Sequence, residues 1–235
     1  MAVFAISDLH LAYGIDKPMD IFGERWSNYM QKIKDNWQKT VGEDDFVIVP
    51  GDVSWATYLE QAVEDFKFID ELPGKKIISK GNHDYWWTTM SKLNKFLLEH
   101  DFKTISFMHN NSIETDEFII CGTRGWKCPG DDEFGAEDQK IYDRELNRLE
   151  LSLKSALGLS DGKSIVVAMH YPPFNPAGEP AGFVEIMRKY NVKICIYGHL
   201  HGNSFKSAVT GLIEGIEFKL VSADYLNFEP LLLGL

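Results

Sequence analysis

Five short stretches carry most of the side chains in this sequence that could hold a divalent cation: Asp8-Leu9-His10, Gly51-Asp52, Gly81-Asn82-His83-Asp84, His170 and Gly198-His199-Leu200-His201. Alone, each is weak. Gly, Asn and Asp form turns, so "GNHD" reads equally as a polar corner after the apolar run "KIIS". The recurrence carries more weight, because five of the seven histidines lie just after an apolar β-type run, with His100 and His109 outside the pattern. Imidazole and carboxylate donors favour first-row divalent ions such as manganese, iron or zinc, and the cysteines lie apart from the set. A two-ion centre, with ions about 3.5–4 Å apart, needs a bridging carboxylate and about three further protein ligands per ion. Asp8, His10, Asp52, Asn82, His170, His199 and His201 meet that requirement. Two divalent ions offset by two carboxylates and a hydroxide retain a charge of about +1, which attracts a phosphate oxyanion. A carboxylate in place of Asn82 would cancel it.

The elements that must position these residues read as an alternation of strands and helices. Strands are expected at "AVFAIS" (2–7), "FVIVP" (46–50), "KIISK" (76–80), "FIICG" (118–122), "SIVVAM" (164–169) and "KICIYG" (193–198). Between them lie apolar stripes of helical period: Trp26, Tyr29, Met30, Ile33 and Trp37; Leu59, Val63, Phe66 and Ile69; Met90, Leu93 and Leu97; Leu146, Leu149, Leu153 and Leu157; Phe183, Ile186, Met187 and Tyr190. After residue 201, short alternating runs predict antiparallel strands that close or extend a second sheet. If the earlier strands are mostly parallel, their carboxyl ends share one edge, where open α/β sheets place ligands. Two long loops, 11–24 and 122–139, are of a length that compact domains keep for function or mobility. The second carries an acidic cluster, Asp131, Asp132 and Glu133.

With 235 residues, 44% hydrophobic and 25% charged, the chain is expected to form one globular domain, 1–235. The start "MAVFAISDLH" reads as a core strand and not a signal peptide, and no run approaches the roughly 18 apolar residues of a membrane helix, so the expected location is cytoplasmic. Cys121, Cys128 and Cys195 cannot all pair within one chain, which fits a reducing compartment. A formal charge of −11 argues against a broad nucleic-acid-binding surface and leaves a small-molecule phosphoester as the expected partner.

In order, these blocks resemble the calcineurin-like metallophosphoesterase family, whose pattern runs Asp-x-His, Gly-Asp-x-x-Asp, Gly-Asn-His-Asp or Glu, a later His, and Gly-His-x-His. "GDVSWA" and "GNHDYWW" look like a bacterial subgroup of predicted phosphohydrolases. The resemblance implies an α/β (α+β) four-layer αββα sandwich, two mixed β-sheets flanked by helices with the metal site at the strand carboxyl ends. It assigns Asp8, His10 and His201 to one ion, Asn82, His170 and His199 to the other, and Asp52 to the bridge. It implies that His83 contacts the phosphate or protonates the leaving oxygen, with Asp84 orienting it; an adjacent carboxylate would favour the imidazolium. Support of the site without direct chemistry is the competing role for this pair. One block departs: the second Asp of Gly-Asp-x-x-Asp is replaced by Trp55, and "WATY" lacks the arginine with which protein phosphatases of the family grip phosphate. Arg124 in "GTRGW" is the candidate substitute, against an ordinary surface role. The expected activity is binuclear metal-dependent hydrolysis of a phosphomonoester or phosphodiester, a bridging hydroxide attacking in line with His83 as general acid. The alternative is a catalytically weak scaffold that acts through protein binding. For Tyr85, Trp86 and Trp87 the expectation is a divided role, one indole in the core and one toward the cleft with Trp55, since consecutive helical residues cannot share a face.

Overall fold

In a parallel strand buried on both faces, alternate residues feed two different cores. Val3 and Ala5 in β1 (Val3–Ala5), Ile48 in β2 (Phe46–Pro50) and Ile77 in β3 (Lys75–Ser79) pack into an inner core, while Phe4, Val47, Val49 and Ile78 face helices. The same division recurs in β6 (Phe118–Thr123), β7 (Ser164–Met169) and β8 (Ile194–Tyr197). There Ile120, Val166, Ala168, Ile194 and Ile196 join the inner core, and Ile119, Cys121, Val167, Met169, Cys195 and Tyr197 face outward. The inner core is therefore the seam between two sheets. Its outer counterparts are closed by α1 (Tyr29–Thr40), α2 (Val63–Asp70) and α3 (Met90–Glu99) on one side, and by α4 (Ala136–Ala156) and α5 (Gly182–Lys189) on the other. This computed structural model describes residues 1–130, 133–159 and 162–234. The expected acidic cluster falls partly outside them, at Asp131 and Asp132.

Adding β4 (Ile105–Phe107), β5 (Ile113–Glu114), β9 (Gly211–Ile213), β10 (Ile216–Leu220) and β11 (Leu231–Leu233), the sheet orders are β11-β1-β2-β3-β4 and β5-β6-β7-β8-β10-β9. Strands β1 to β4 run parallel, as do β6, β7, β8 and β10, so the ligand-bearing loops leave one edge of each sheet. The two mixed sheets flanked by helices are those the resemblance implies.

Several local expectations change. Beyond residue 201 the added strands are not uniformly antiparallel: β10 lies parallel to β8, and β11 crosses to the first sheet, antiparallel to β1. The reason is the hairpin: β9 returns from the carboxyl edge, and Glu214 (φ 51°) and Gly215 (φ 83°) turn the chain into β10. Trp26 sits in a 3-10 turn, Glu24–Trp26, and not in α1, because Asn28 interrupts with a left-handed backbone (φ 53°). Tyr85 to Trp87 likewise precede α3, which starts behind the Thr89 cap, so the helical argument for dividing the two indoles does not apply. No helix among the described residues is long and apolar enough to cross a membrane. All three cysteines are buried and free.

Ile196 is fully buried in the seam, whereas Leu232 of β11 is 56% exposed. We expect Ile196→Ala to lower unfolding stability by about 2–5 kcal/mol and Leu232→Ala to change it by less than about 0.5 kcal/mol, both read from urea denaturation midpoints.

Candidate metal centre

Where the parallel strands end, the backbone bends sharply and repeatedly. Asp8, His10, Asp52 and His199 all lie in the left-handed region, with φ of 58°, 47°, 51° and 71°. Such conformations are disfavoured for non-glycine residues and gather at sites where side chains must be aimed. Two glycines permit the close approach of these bends. A Cβ on Gly81 would fall 2.1 Å from Asp52 Oδ1, and one on Gly198 would fall 2.3 Å from Asp8 Oδ2. Glycine in the "GNHD" and "GHLH" blocks is thus a steric requirement of the carboxylates opposite.

All seven expected ligands converge. On one side, His10 Nε2 lies 3.4 Å from His201 Nε2, and Asp8 Oδ1 is 3.3 Å from the same His201 nitrogen. On the other, Asn82 Oδ1 lies 2.6 Å from His170 Nε2 and 2.9 Å from His199 Nδ1, the two ring nitrogens being 3.3 Å apart. Between the groups, Asp52 Oδ2 is 3.9 Å from His10 Nε2 and 3.4 Å from His170 Nε2. The other Asp52 oxygen accepts the His83 amide at 2.8 Å.

Neighbouring groups aim the ring nitrogens. His170 Nδ1 lies 3.1 Å from Pro50 O, to which it can only donate, and that leaves Nε2 as a lone pair toward Asn82. His201 Nδ1 is 2.8 Å from Asp224 Oδ1, a carboxylate–imidazole pair that directs Nε2 inward. Asp8 Oδ2 accepts from the Ser7 hydroxyl and from the His199 amide at 3.1 Å.

Electrostatics sort these groups by charge. Burial pushes the imidazoles of His10, His170 and His199 toward the neutral form, to about 3 for His170 and about 4 for His199. His201 is opposite: burial opposes its charge, but hydrogen bonds to Asp224 and Asp8 raise it to about 10. Burial would raise Asp8, yet the His201 hydrogen bond and the surrounding histidines hold it far below the usual carboxylate range. Burial and the nearby Asp8 and Asp84 charges push Asp52 well above that range. A neutral buried imidazole and a carboxamide oxygen, facing each other at 2.6 Å, present two acceptors with no proton between them. A cation reconciles that contact, and a cation also relieves the repulsion of Asp52 by Asp8. The residues therefore fit divalent metal.

The remaining predicted residues are placed less uniformly. The half-buried His83 ring lies against Trp55 (centroids 4.7 Å) and His10 (5.8 Å), on the wall of a cleft of about 670 Å³. Burial and the charge of Lys17 lower its affinity for a proton. Asp84 does not reach that ring. It is fully buried, and its oxygens accept the amides of Gly81 (2.7 Å), Asp52 (2.9 Å) and Val53 (2.9 Å) and the Trp86 indole (3.1 Å). Its expected role of orienting His83 gives way to one of joining two ligand loops. Arg124 is also absent from the cleft, for its guanidinium lies 3.9 Å from buried Glu145 and over Trp126, while its carbonyl accepts the His170 amide at 3.1 Å. Of the aromatics, Trp86 is core (edge-on to Phe66 at 5.0 Å), Trp87 packs on Phe107 and Tyr85 is 65% exposed. Trp55 does line the cleft, but its companion is Trp26 and not Trp87.

Sequence reading missed Ser7, Arg25, Asp224 and the cleft role of Trp26. Asp224 had only the weak signal of a polar residue in "SADY", after a strand of the same sheet. Arg25 lies just beyond the first long loop; its Nη1 donates to Asp224 O at 2.6 Å.

Residues 1–203 match the calcineurin-like phosphoesterase family, and the chain belongs to it. With this centre the class is a metal-dependent phosphoesterase. Three solved structures share the fold. A protein of unknown function from Aquifex aeolicus is 18% identical with a TM-score of 0.53, over 98% of this chain and 95% of that one. A phosphopantetheinyl hydrolase from Mycobacterium tuberculosis is 14% identical with a TM-score of 0.56, over 99% and 95%. A Thermus thermophilus protein is 13% identical with a TM-score of 0.53, over 85% and 81%. Among curated proteins, none matches the sequence.

His201 gives a test of the electrostatics. Its proton affinity is raised on folding, so in chelator-treated protein its contribution to stability is full below about pH 6.5 and is lost as pH rises through about 10. Asp224→Asn should lower its pKa by about one pH unit or more and flatten that pH dependence. Ring chemical shifts during a pH titration would measure the first effect, and denaturation across pH 6–10 the second.

Proposed function

We propose that this protein is a binuclear metal-dependent phosphoester hydrolase. The carrying observation is the placing of two donor groups, Asp8–His10–His201 and Asn82–His170–His199, on either side of Asp52. In this reading Asp8, His10 and His201 would hold one ion and Asn82, His170 and His199 the other, with Asp52 placed to serve both. The bound ions supply Lewis acidity toward the phosphoryl oxygens and a nucleophilic water at neutral pH.

The chain's own residues do the rest. Asn82 adds a donor without adding negative charge, so the site retains a positive balance toward a phosphoester. Asp224 and Pro50 fix two ring orientations, which limits the reorganisation needed when the substrate arrives. His83 faces the cleft with its proton affinity lowered by burial and Lys17. A phosphoester in the cleft brings the negative charge that raises it again, so the imidazole is protonated where the leaving oxygen needs a proton. Asp84 positions both the Asp52 and His83 loops through their amides and does not act on the proton itself. The family membership supports the reaction class, and the mycobacterial hydrolase makes a phosphopantetheine diester a reasonable member of a substrate panel.

Protein purified without a chelating tag, stripped and reloaded separately with manganese, iron or zinc, should bind about two ions per chain and hydrolyse p-nitrophenyl or bis-p-nitrophenyl phosphate. Asp52→Asn should reduce turnover by more than about 100-fold while circular dichroism stays unchanged. Two bound metals with no turnover of either ester would point to the scaffold reading instead, and unchanged turnover in Asp52→Asn would refute the bridge.

A further inference from the structure

The centre is open to bulk on one flank. Of the seven donor residues, His10 and His201 line the 670 Å³ cleft. On the opposite flank the Tyr171 ring packs 4.1 Å from His199 and 5.4 Å from His170. The cavity nearby, beside Lys80 and Arg124, measures about 20 Å³, room for little more than one water. His10, His201 and His83 line the 670 Å³ cleft together, so a leaving group that takes its proton from His83 occupies that cleft, whose size is typical of small-molecule sites.

Three 3-10 segments shape that cleft: the turns at Asp20–Phe22 and Glu24–Trp26, and Gly202–Ser207 directly after His201. They bring Phe22, Trp26 and Phe205 to its wall, with Trp55 beside them. Phe22 is 59% exposed there, an apolar ring that a ligand in the cleft would cover. Flat π-faces favour a flat partner over a branched alcohol. Polar groups are interleaved with the rings, since Arg25, Glu24 and Asn203 line the same space. A plain alkyl chain would strip water from these exposed polar groups and offer no hydrogen bond in return, which disfavours it. A base carrying hydrogen-bonding edges satisfies both features.

We propose that this cleft is the alcohol subsite, and that it takes a planar heteroaromatic leaving group of the nucleoside kind, with Phe22 and Phe205 as the specificity-determining rings. The inference rests on the hydrolase reading for its orientation. In the reaction it implies, the water oxygen forms a bond to phosphorus and releases a proton to solvent, the bond from phosphorus to the nucleoside oxygen breaks, and the proton passes from His83 to that oxygen, after which solvent reprotonates His83.

Binding separates this inference from the hydrolase reading. Manganese-loaded protein would be titrated calorimetrically with the non-hydrolysable phosphonate analogues of AMP and of ribose 5-phosphate, which share the phosphoryl group and sugar and differ in the base. The adenosine compound should bind at least about tenfold tighter. Phe22→Ser, at an exposed position, and Phe205→Leu should each shrink that ratio while leaving the affinity for the ribose compound unchanged. Equal affinities in the unaltered protein, or a ratio that survives both substitutions, would overturn the proposal. Failure of the hydrolase reading appears separately, as absent turnover of the nitrophenyl esters in protein whose binding preference is intact.

Discussion

A single buried carboxylate keeps the two halves of the first sheet's ligand edge in register. Asp84 accepts three amides at 2.7–2.9 Å, from Gly81, Asp52 and Val53, together with the Trp86 indole. Two of those amides belong to the loop after β2 and one to the loop after β3, so the bridge-position carboxylate and the Asn82–His83 pair are placed by the same group. Even so, burial outweighs these bonds and pushes Asp84 up to about 6. A carboxylate with so many donors and no ion-pair partner within contact among the described residues is a positioning device with an electrostatic cost, and positive charge at the centre would offset that cost.

The same balance explains why a chain of formal charge −11 can attract a phosphate ester. Attraction here is local. On the proposed reading, three neutral imidazoles, a carboxamide and two carboxylates would contribute less negative charge than two divalent ions would bring positive charge, and low-dielectric walls would preserve the difference at short range. The bulk charge governs solubility and the avoidance of polyanions; the few ångströms around Asp52 govern the substrate.

Legibility in the sequence followed the range of the interaction. Alternating burial and strand-end turn chemistry are local, so the strands, the helices and the seven side chains that converge at the strand ends were legible from residue types and spacing. Contacts between segments distant in sequence have no such pattern. Asp224 reaches His201 only because a hairpin returns the chain alongside β8, and Arg25 reaches Asp224 over 199 positions. Adjacency in sequence also misled: Asp84 stands next to His83, yet its side chain turns to the backbone beneath, because buried amides at a bent loop need an acceptor more than a half-buried ring at the cleft does. The indoles failed for a related reason, since the helix thought to divide them begins only at Met90.

The pairing of β1 with β11 has a temporal side. Strand β1 lies between β2 and the antiparallel β11, and Ser7, beside the first ligand, bridges to Ser222. During synthesis the opening strand therefore lacks one of its neighbours until more than two hundred further residues have left the ribosome. Contacts of such sequence separation form late and slowly. The earliest ligands, Asp8 and His10, must wait in an unfinished edge until His199, His201 and Asp224 arrive. Until then the candidate centre holds only the donors of the first sheet, so its full donor set exists only once the second sheet has formed.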